Sequence, residues 1–212
     1  MVIGVMATEI LTFNEIELAN RLSALPRQKM IGFAAACAER LLPAYDRYSE
    51  KAALRTEDSM VYRRALETIW SHLLDREPDV KDLGKLANNC FISIPSEDDA
   101  WRQGEPYAED AGAVVTFAVR AYSSDVPENA VHAARRVYEA VDNFVTSRNE
   151  ANGISHIDEQ KVLAHPLIQR ELGRQRYDLE WLEAYRENSL DGEILRELRA
   201  RSQRDALTVF TI

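Results

Sequence analysis

Apolar residues return at three- and four-residue spacing along most of this chain, the period of a helix with one buried face. Asn14 is placed to cap a short helix over EIELANRLSAL. The Leu25–Pro26 step ends it, and Pro26 suits the first position of the next helix. In RQKMIGFAAACAERLL one face collects Met30, Phe33, Ala34, Cys37, Ala38 and Leu41; Pro43 then kinks or restarts the helix, and Tyr45 and Tyr48 lie in its continuation. The cleanest stripe runs from Glu57 to Leu74 and holds Tyr62, Ala65, Leu66, Ile69, Trp70 and Leu73. Asp79 is a cap for a helix through LGKLANNCFISI, which Pro95 closes.

EDAGAVVTFAVRAY is apolar nearly all round, which predicts the central helix of a bundle. Asp125 and Pro127 supply a cap and a first-turn proline for a helix that buries Val131, Ala134, Val137, Val141 and Phe144. SRNEANGISH reads as a loop with a turn at Asn152–Gly153, and two further helices follow, at about 166–187 and 192–206. The tail LTVFTI alternates, so it is expected to lie extended in a groove or against a second subunit. The fold class predicted is all-α: a single bundle of seven or eight helices, with the last pair as a hairpin and a short extended C-terminal tail. Residues 1–13 read as a variable N-terminal extension and 14–212 as one all-helical domain, with a sub-boundary near 149–157.

Composition narrows the function more than the fold. Eight glycines and seven prolines in 212 residues are few, which favours long helices over a turn-rich β fold. The net charge of −9 disfavours a phosphate backbone as partner and suits a cationic one. Cys37 and Cys90 sit singly in apolar runs and read as reduced core thiols. The opening MVIGVMATEILTF lacks a basic n-region and is too short to span a bilayer, so a cytoplasmic protein is expected, without a membrane partner.

Three motifs carry a family resemblance. CAERLLPAY (Cys37 to Tyr45), YRRALETIW (Tyr62 to Trp70) and IPSEDDA (Ile94 to Ala100) occur in the order and at about the spacing of the YjaG-like family of bacterial proteins, which the chain resembles from about Leu22 onward. YDLEWLEAY and EILRELRA are in keeping with it. The resemblance implies an all-helical cytoplasmic bacterial fold and carries no assigned activity. The N-terminus and the RNEANGISHID loop depart from the family pattern.

Charge is concentrated in one place. From Ile94 to Asp110 there are six acids (Glu97, Asp98, Asp99, Glu105, Glu109, Asp110) against one base, Arg102, an excess of five within a chain of net −9. Three readings stay open. Ser96 and Asp99 have capping-box spacing. The acids with Trp101 and Tyr107 as aromatic anchors could form a docking face for a basic partner. Clustered carboxylates could hold Mg²⁺ or Mn²⁺, although the spacing matches no recognised loop.

Arg63 falls on the edge of its stripe and is expected either to clamp an anion or to form a structural ion pair, with Glu39 the first candidate and Asp98, Asp99 and Asp110 the others. Arg64 faces the other way, toward solvent or a partner. His72, His132, His156 and His165 form no H-E-x-x-H or Glu-x-x-His pattern, and no phosphate loop, dinucleotide fingerprint or nucleophile elbow occurs. No catalytic residue, metal ligand or cofactor is therefore nominated. The expected function is a non-enzymatic protein-binding module, an immunity protein or inhibitor that neutralises a cationic bacterial toxin or effector. The alternatives are a metal-dependent enzyme with a carboxylate site near residues 97–110, and a structural homo-oligomer, such as a homodimer, joined by its tail.

Overall fold

A computed structural model of the chain describes residues 10–75, 83–124, 126–151, 158–185 and 191–211. The capping positions assigned to Asp79 and Asp125, the Asn152–Gly153 turn, His156 and the first nine residues lie outside them. The described residues form eleven helices and no strand. Eight are long: α1 (Glu15–Ser23), α2 (Arg27–Lys51), α4 (Val61–Asp75), α5 (Leu83–Ile92), α7 (Ala108–Ser123), α8 (Glu128–Ala151), α10 (Pro166–Ala184) and α11 (Asp191–Ala206). Between them lie three short ones, α3 (Thr56–Ser59), α6 (Glu97–Arg102) and α9 (Glu159–Leu163). The all-α expectation holds.

Local chemistry sets the boundaries. Asn14 Oδ1 accepts from the Glu17 amide at 3.1 Å and caps α1, with Glu15 and Glu17 in the positively polarised first turn. Pro26 stands one position earlier than its sequence suggests: it is the N-cap of α2, with extended ψ, and Arg27 opens the helix. α2 ends in a Schellman motif, in which the Ala53 amide donates to the Glu50 carbonyl and the Leu54 amide to that of Ser49. Ala53 holds the left-handed position at φ 49°, where glycine is at home. Pro43 does not break α2. The helix runs unbroken through it, and the cost is local: proline has no amide to offer the Glu39 carbonyl one turn back.

α2, not α7, is the central helix. It packs against α4, α7, α8, α10 and α11, and it is buried on all sides from Lys29 to Leu42. Ala34, Ala35, Ala36 and Ala38 keep its surface thin, and α7, which packs on it, buries the small residues Ala111, Val114, Val115 and Ala118. Two glycines mark the closest approaches. A Cβ on Gly32 would sit 2.6 Å from Leu195 of α11, and one on Gly112 would sit 2.6 Å from the Tyr62 hydroxyl. The predicted stripe of α4 is fully buried in this core, from Tyr62 to Leu73.

The C-terminus differs from its expectation. α10 seats mainly on α8, and α11 on α2 and α4, so the two meet through long side chains rather than as a closely packed hairpin. The tail is not extended: residues 207–210 coil into turns. Arg170 donates to the carbonyls of Thr208 and Thr211, and Arg174 to the Thr208 hydroxyl at 2.6 Å. Val209 is buried, and Phe210 stacks on Tyr107 with ring centroids 4.7 Å apart. Guanidinium donors of α10 thus hold the tail against its own chain, while Leu207 stays exposed. No helix among the described residues is long and apolar enough to cross a membrane.

Candidate functional site

The acidic turn divides into charges used by the fold and charges left at the surface. Ser96 caps α6: its Oγ accepts from the Asp99 amide at 3.2 Å and donates to Asp99 Oδ2 at 2.7 Å, while Arg102 holds Asp99 Oδ1 at 2.7 Å. The hydroxyl bond, with Arg102 beside it, holds the Asp99 carboxyl below its ordinary range. Glu105 is buried between Arg47 (2.9 Å) and Lys51 (2.7 Å), and ties the α6–α7 connection to α2. Gly104, at φ 67°, makes the turn that brings it there.

Asp110 lies largely buried against Arg136 of α8 at 3.2 Å. Burial pushes its carboxyl up to about 6, with Arg136 opposing and Glu109 and Glu139 adding to the rise. Tyr107 is not an outward anchor, because it is sandwiched with Phe144 and Phe210. Glu109 is half-buried at the start of α7. The run of acids is therefore no single docking face.

What remains outward is Glu97, Asp98 and Trp101. Among the described residues neither Glu97 nor Asp98 has an ion-pair or hydrogen-bond partner, and Trp101 is 57% exposed. Across the four-residue connection before α6 stand two residues that the sequence reading missed, Phe91 at 55% and Ile92 at 69% exposure. Arg120 rests over the Phe91 ring at 5.6 Å. The signal for them was available: Phe91 and Ile92 lie off the buried side of α5 that Cys90 occupies, in a helix whose sequence is apolar on more than one side.

Arg63 forms a structural pair, but with Asp46 of α2 (3.2 and 2.5 Å) and not with Glu39. Asp46 lies seven residues, about two turns, further along α2 than Glu39, on the same side of the helix. Glu39 instead meets Arg199 of α11 at 3.5 Å, and burial raises its carboxyl against that partner. Arg64 is exposed, as its position on the wheel requires.

A second charge cluster was not foreseen. The side chain of Arg40 is fully buried in the middle of α2. Its Nε donates to Glu171 Oε1 (3.2 Å), its Nη1 to Asp178 Oδ2 (2.7 Å) and its Nη2 to Cys37 Sγ (3.3 Å). Asp178 Oδ1 accepts from Arg201 at 2.8 Å, and Gln175 joins Glu171 Oε1 to the Ala134 carbonyl of α8. Four helices, α2, α8, α10 and α11, thus meet at one polar centre. Burial lowers the proton affinity of the Arg40 guanidinium, but the surrounding charges, Glu171 first, outweigh it and keep it charged. Glu171 is raised by burial against Arg40, and its Oε2 has no hydrogen-bond partner among the described residues, with Arg174 at 3.9 Å.

The chemistry on offer is thin. Cys37 and Cys90 are buried free thiols, both pushed up to about 12 by burial, so neither is a thiolate at neutral pH. His165 Nδ1 caps α10 through the Leu167 amide, while His72 and His132 pack edge-on to Tyr122 and Phe117. No three His, Cys, Asp or Glu among the described residues are placed to hold a metal ion, which leaves the carboxylate-metal alternative without a site there. A cavity of about 340 Å³ opens between residues 10–14, α1 and α10. Its rim guanidiniums, Arg21 and Arg176, pair with Glu183 and Glu180, so no unpaired charge of the described residues converges on it.

The sequence profile of a family described as "Protein of unknown function (DUF416)" matches residues 17–208 of this chain. Its fold is similar to that of the crystal structure of a DUF416 family protein from Shewanella baltica OS155. The TM-score is 0.71 at 23% sequence identity, over 88% of this chain and 93% of that one. No curated protein matches the chain.

Proposed function

The chain belongs to the DUF416 family, which comes with a fold and no stated activity, and from its surface we propose a non-catalytic protein-binding module for a cationic partner. The observation that carries this reading is the α5–α6 junction. Phe91, Ile92 and Trp101, each more than half exposed, flank one four-residue connection, and Glu97 and Asp98 stand beside them without partners among the described residues. Exposed apolar side chains rimmed by charge are the usual composition of a recognition surface. A net charge of −9 draws a basic partner toward it and repels nucleic acid.

The finer reading is an immunity protein or inhibitor that neutralises a cationic bacterial toxin or effector in the cytoplasm, in a chain that resembles the YjaG-like proteins. Its support is general: an acidic helical chain, thiols held protonated, and charge steering that speeds capture. The test compares capture from host extract by the wild-type chain and by Glu97→Lys/Asp98→Lys/Trp101→Ala, at low and at high salt. A basic protein retained by the first, lost by the second and released by salt supports the proposal, and genes for that protein and this chain standing side by side support the inhibitor reading. Identical capture by both chains overturns the assignment of the α5–α6 surface.

A further inference from the structure

The outer face of α10 carries a pattern that complements itself. Arg176, Tyr177, Glu180 and Ala184 are exposed, and Trp181 is half-buried at their edge; at 100° per residue they span an arc of about 140°. Arg176 donates to Glu180 Oε1 at 2.8 Å within the chain. Tyr177 and Trp181 form a stacked pair with centroids 6.3 Å apart. Arg201 of α11 lies over both rings, at 4.6 and 5.5 Å, and is anchored below by Asp178. The face thus has a charged edge and an aromatic edge, and the aromatic rings are braced from one side. Tyr, Trp and Arg are the residue types that dominate binding at interfaces.

We propose that this face pairs with a second copy of the chain, antiparallel, about a two-fold axis that crosses α10 between Asp178 and Leu179. Such an axis reverses the helix direction but keeps each edge facing its own kind. Arg176 then stands opposite Glu180 of the partner subunit, and Tyr177 opposite Trp181 of the partner subunit, each offset along the axis by about 1.5 Å, and each pairing occurs twice. The in-chain Arg176–Glu180 pair becomes half of a four-charge ring, and Ala184 leaves room for close approach.

Electrostatics favour a second copy here over other parts of the surface. The chain repels itself at net −9, but the stretch from Arg170 to Asp205 holds eight arginines against nine acids and is nearly neutral. The C-terminal tail is engaged in its own subunit, so this surface is separate from the one the sequence suggested and from the α5–α6 junction. A contact one helix wide is at the low end of interface sizes, so the expected association is micromolar.

Sedimentation equilibrium over about 5–200 µM tests it, with circular dichroism confirming that each variant is folded. The wild-type chain is expected to dimerise. Arg176→Glu, which sets acid against acid, weakens association by about tenfold or more, and so does Glu180→Arg, which sets base against base. Mixing these two single variants restores association as a heterodimer, because one then carries two acids and the other two bases at the ring. Trp101→Ala leaves the dimer intact. A wild-type chain that stays monomeric throughout, an Arg176→Glu chain that still dimerises, a mixture that does not associate, or loss of the dimer in Trp101→Ala overturns the proposal.

Discussion

Two regions of this protein are dense in charge and use it in opposite ways. Around Arg40, guanidinium and carboxylate groups from α2, α10 and α11 lie inside the bundle, each held by fixed partners. Around α6 the acids divide: Asp99 and Glu105 cap or clamp the chain, while Glu97 and Asp98 stand at the surface without partners among the described residues. Charge taken out of water must be matched almost atom for atom, so the first region fixes how four helices meet. Charge at the surface is cheap to leave unmatched, and only there does it remain available to another molecule.

Breaking the buried region should have the largest effect. Arg40→Met leaves Asp178 to Arg201 and Glu171 only to Arg174 at 3.9 Å, and should lower stability by about 3–5 kcal/mol in urea unfolding. Adding Glu171→Gln should recover part of that loss, because Asp178 and Arg201 then balance each other.

Asp110 sharpens the contrast between the regions, being an acid of the turn that the fold buried. Its folded carboxyl titrates at about 6, above the 3.8 of an unfolded one, so the folded state binds the proton more tightly. The stability this gives is fully present below about pH 4 and is lost as pH rises through about 6. Asp110→Asn should remove that pH dependence and gain of the order of 2 kcal/mol at pH 7, read from unfolding curves between pH 4 and 7.

Smaller effects follow at the helix ends. Ser96→Ala removes the cap of α6 and should cost about 1 kcal/mol, visible as faster amide exchange in α6. Ala53→Gly should gain about 0.5–1 kcal/mol, since glycine takes the left-handed position of the Schellman motif without strain.

The legible and the hidden parts of this fold differ in range. The stripe of α4 is written within one helix, so Tyr62 to Leu73 could be placed in the core from periodicity alone. The same holds for Asn14 and Ser96, whose capping partners lie three residues away. In α2 periodicity marks one apolar face, from Met30 to Leu41, and names no partner for Lys29 or Arg40. Their partners are remote: Glu171 and Asp178 lie 131 and 138 positions from Arg40, and Lys29 reaches the Tyr185 carbonyl.

Local balance concealed that network. In the C-terminal stretch, eight arginines and nine acids looked self-neutralising, although Asp178 is shared with α2. The excess at α6 was conspicuous for the converse reason, and the cations that consume Glu105 come from α2, 54 and 58 positions away. The one pointer to the buried centre was that Glu39–Arg40 and Asp178 fall inside CAERLLPAY and YDLEWLEAY, stretches that carry the family resemblance.

The separation of the two kinds of charge is tested most directly by the urea midpoint of Glu97→Lys/Asp98→Lys measured beside that of Arg40→Met. The double reversal at α6 should leave the midpoint where the wild-type chain has it, while Arg40→Met lowers it steeply. A midpoint that falls in both would mean that Glu97 and Asp98 also serve the fold, and one that falls in neither would mean that the buried centre does not hold the helices together.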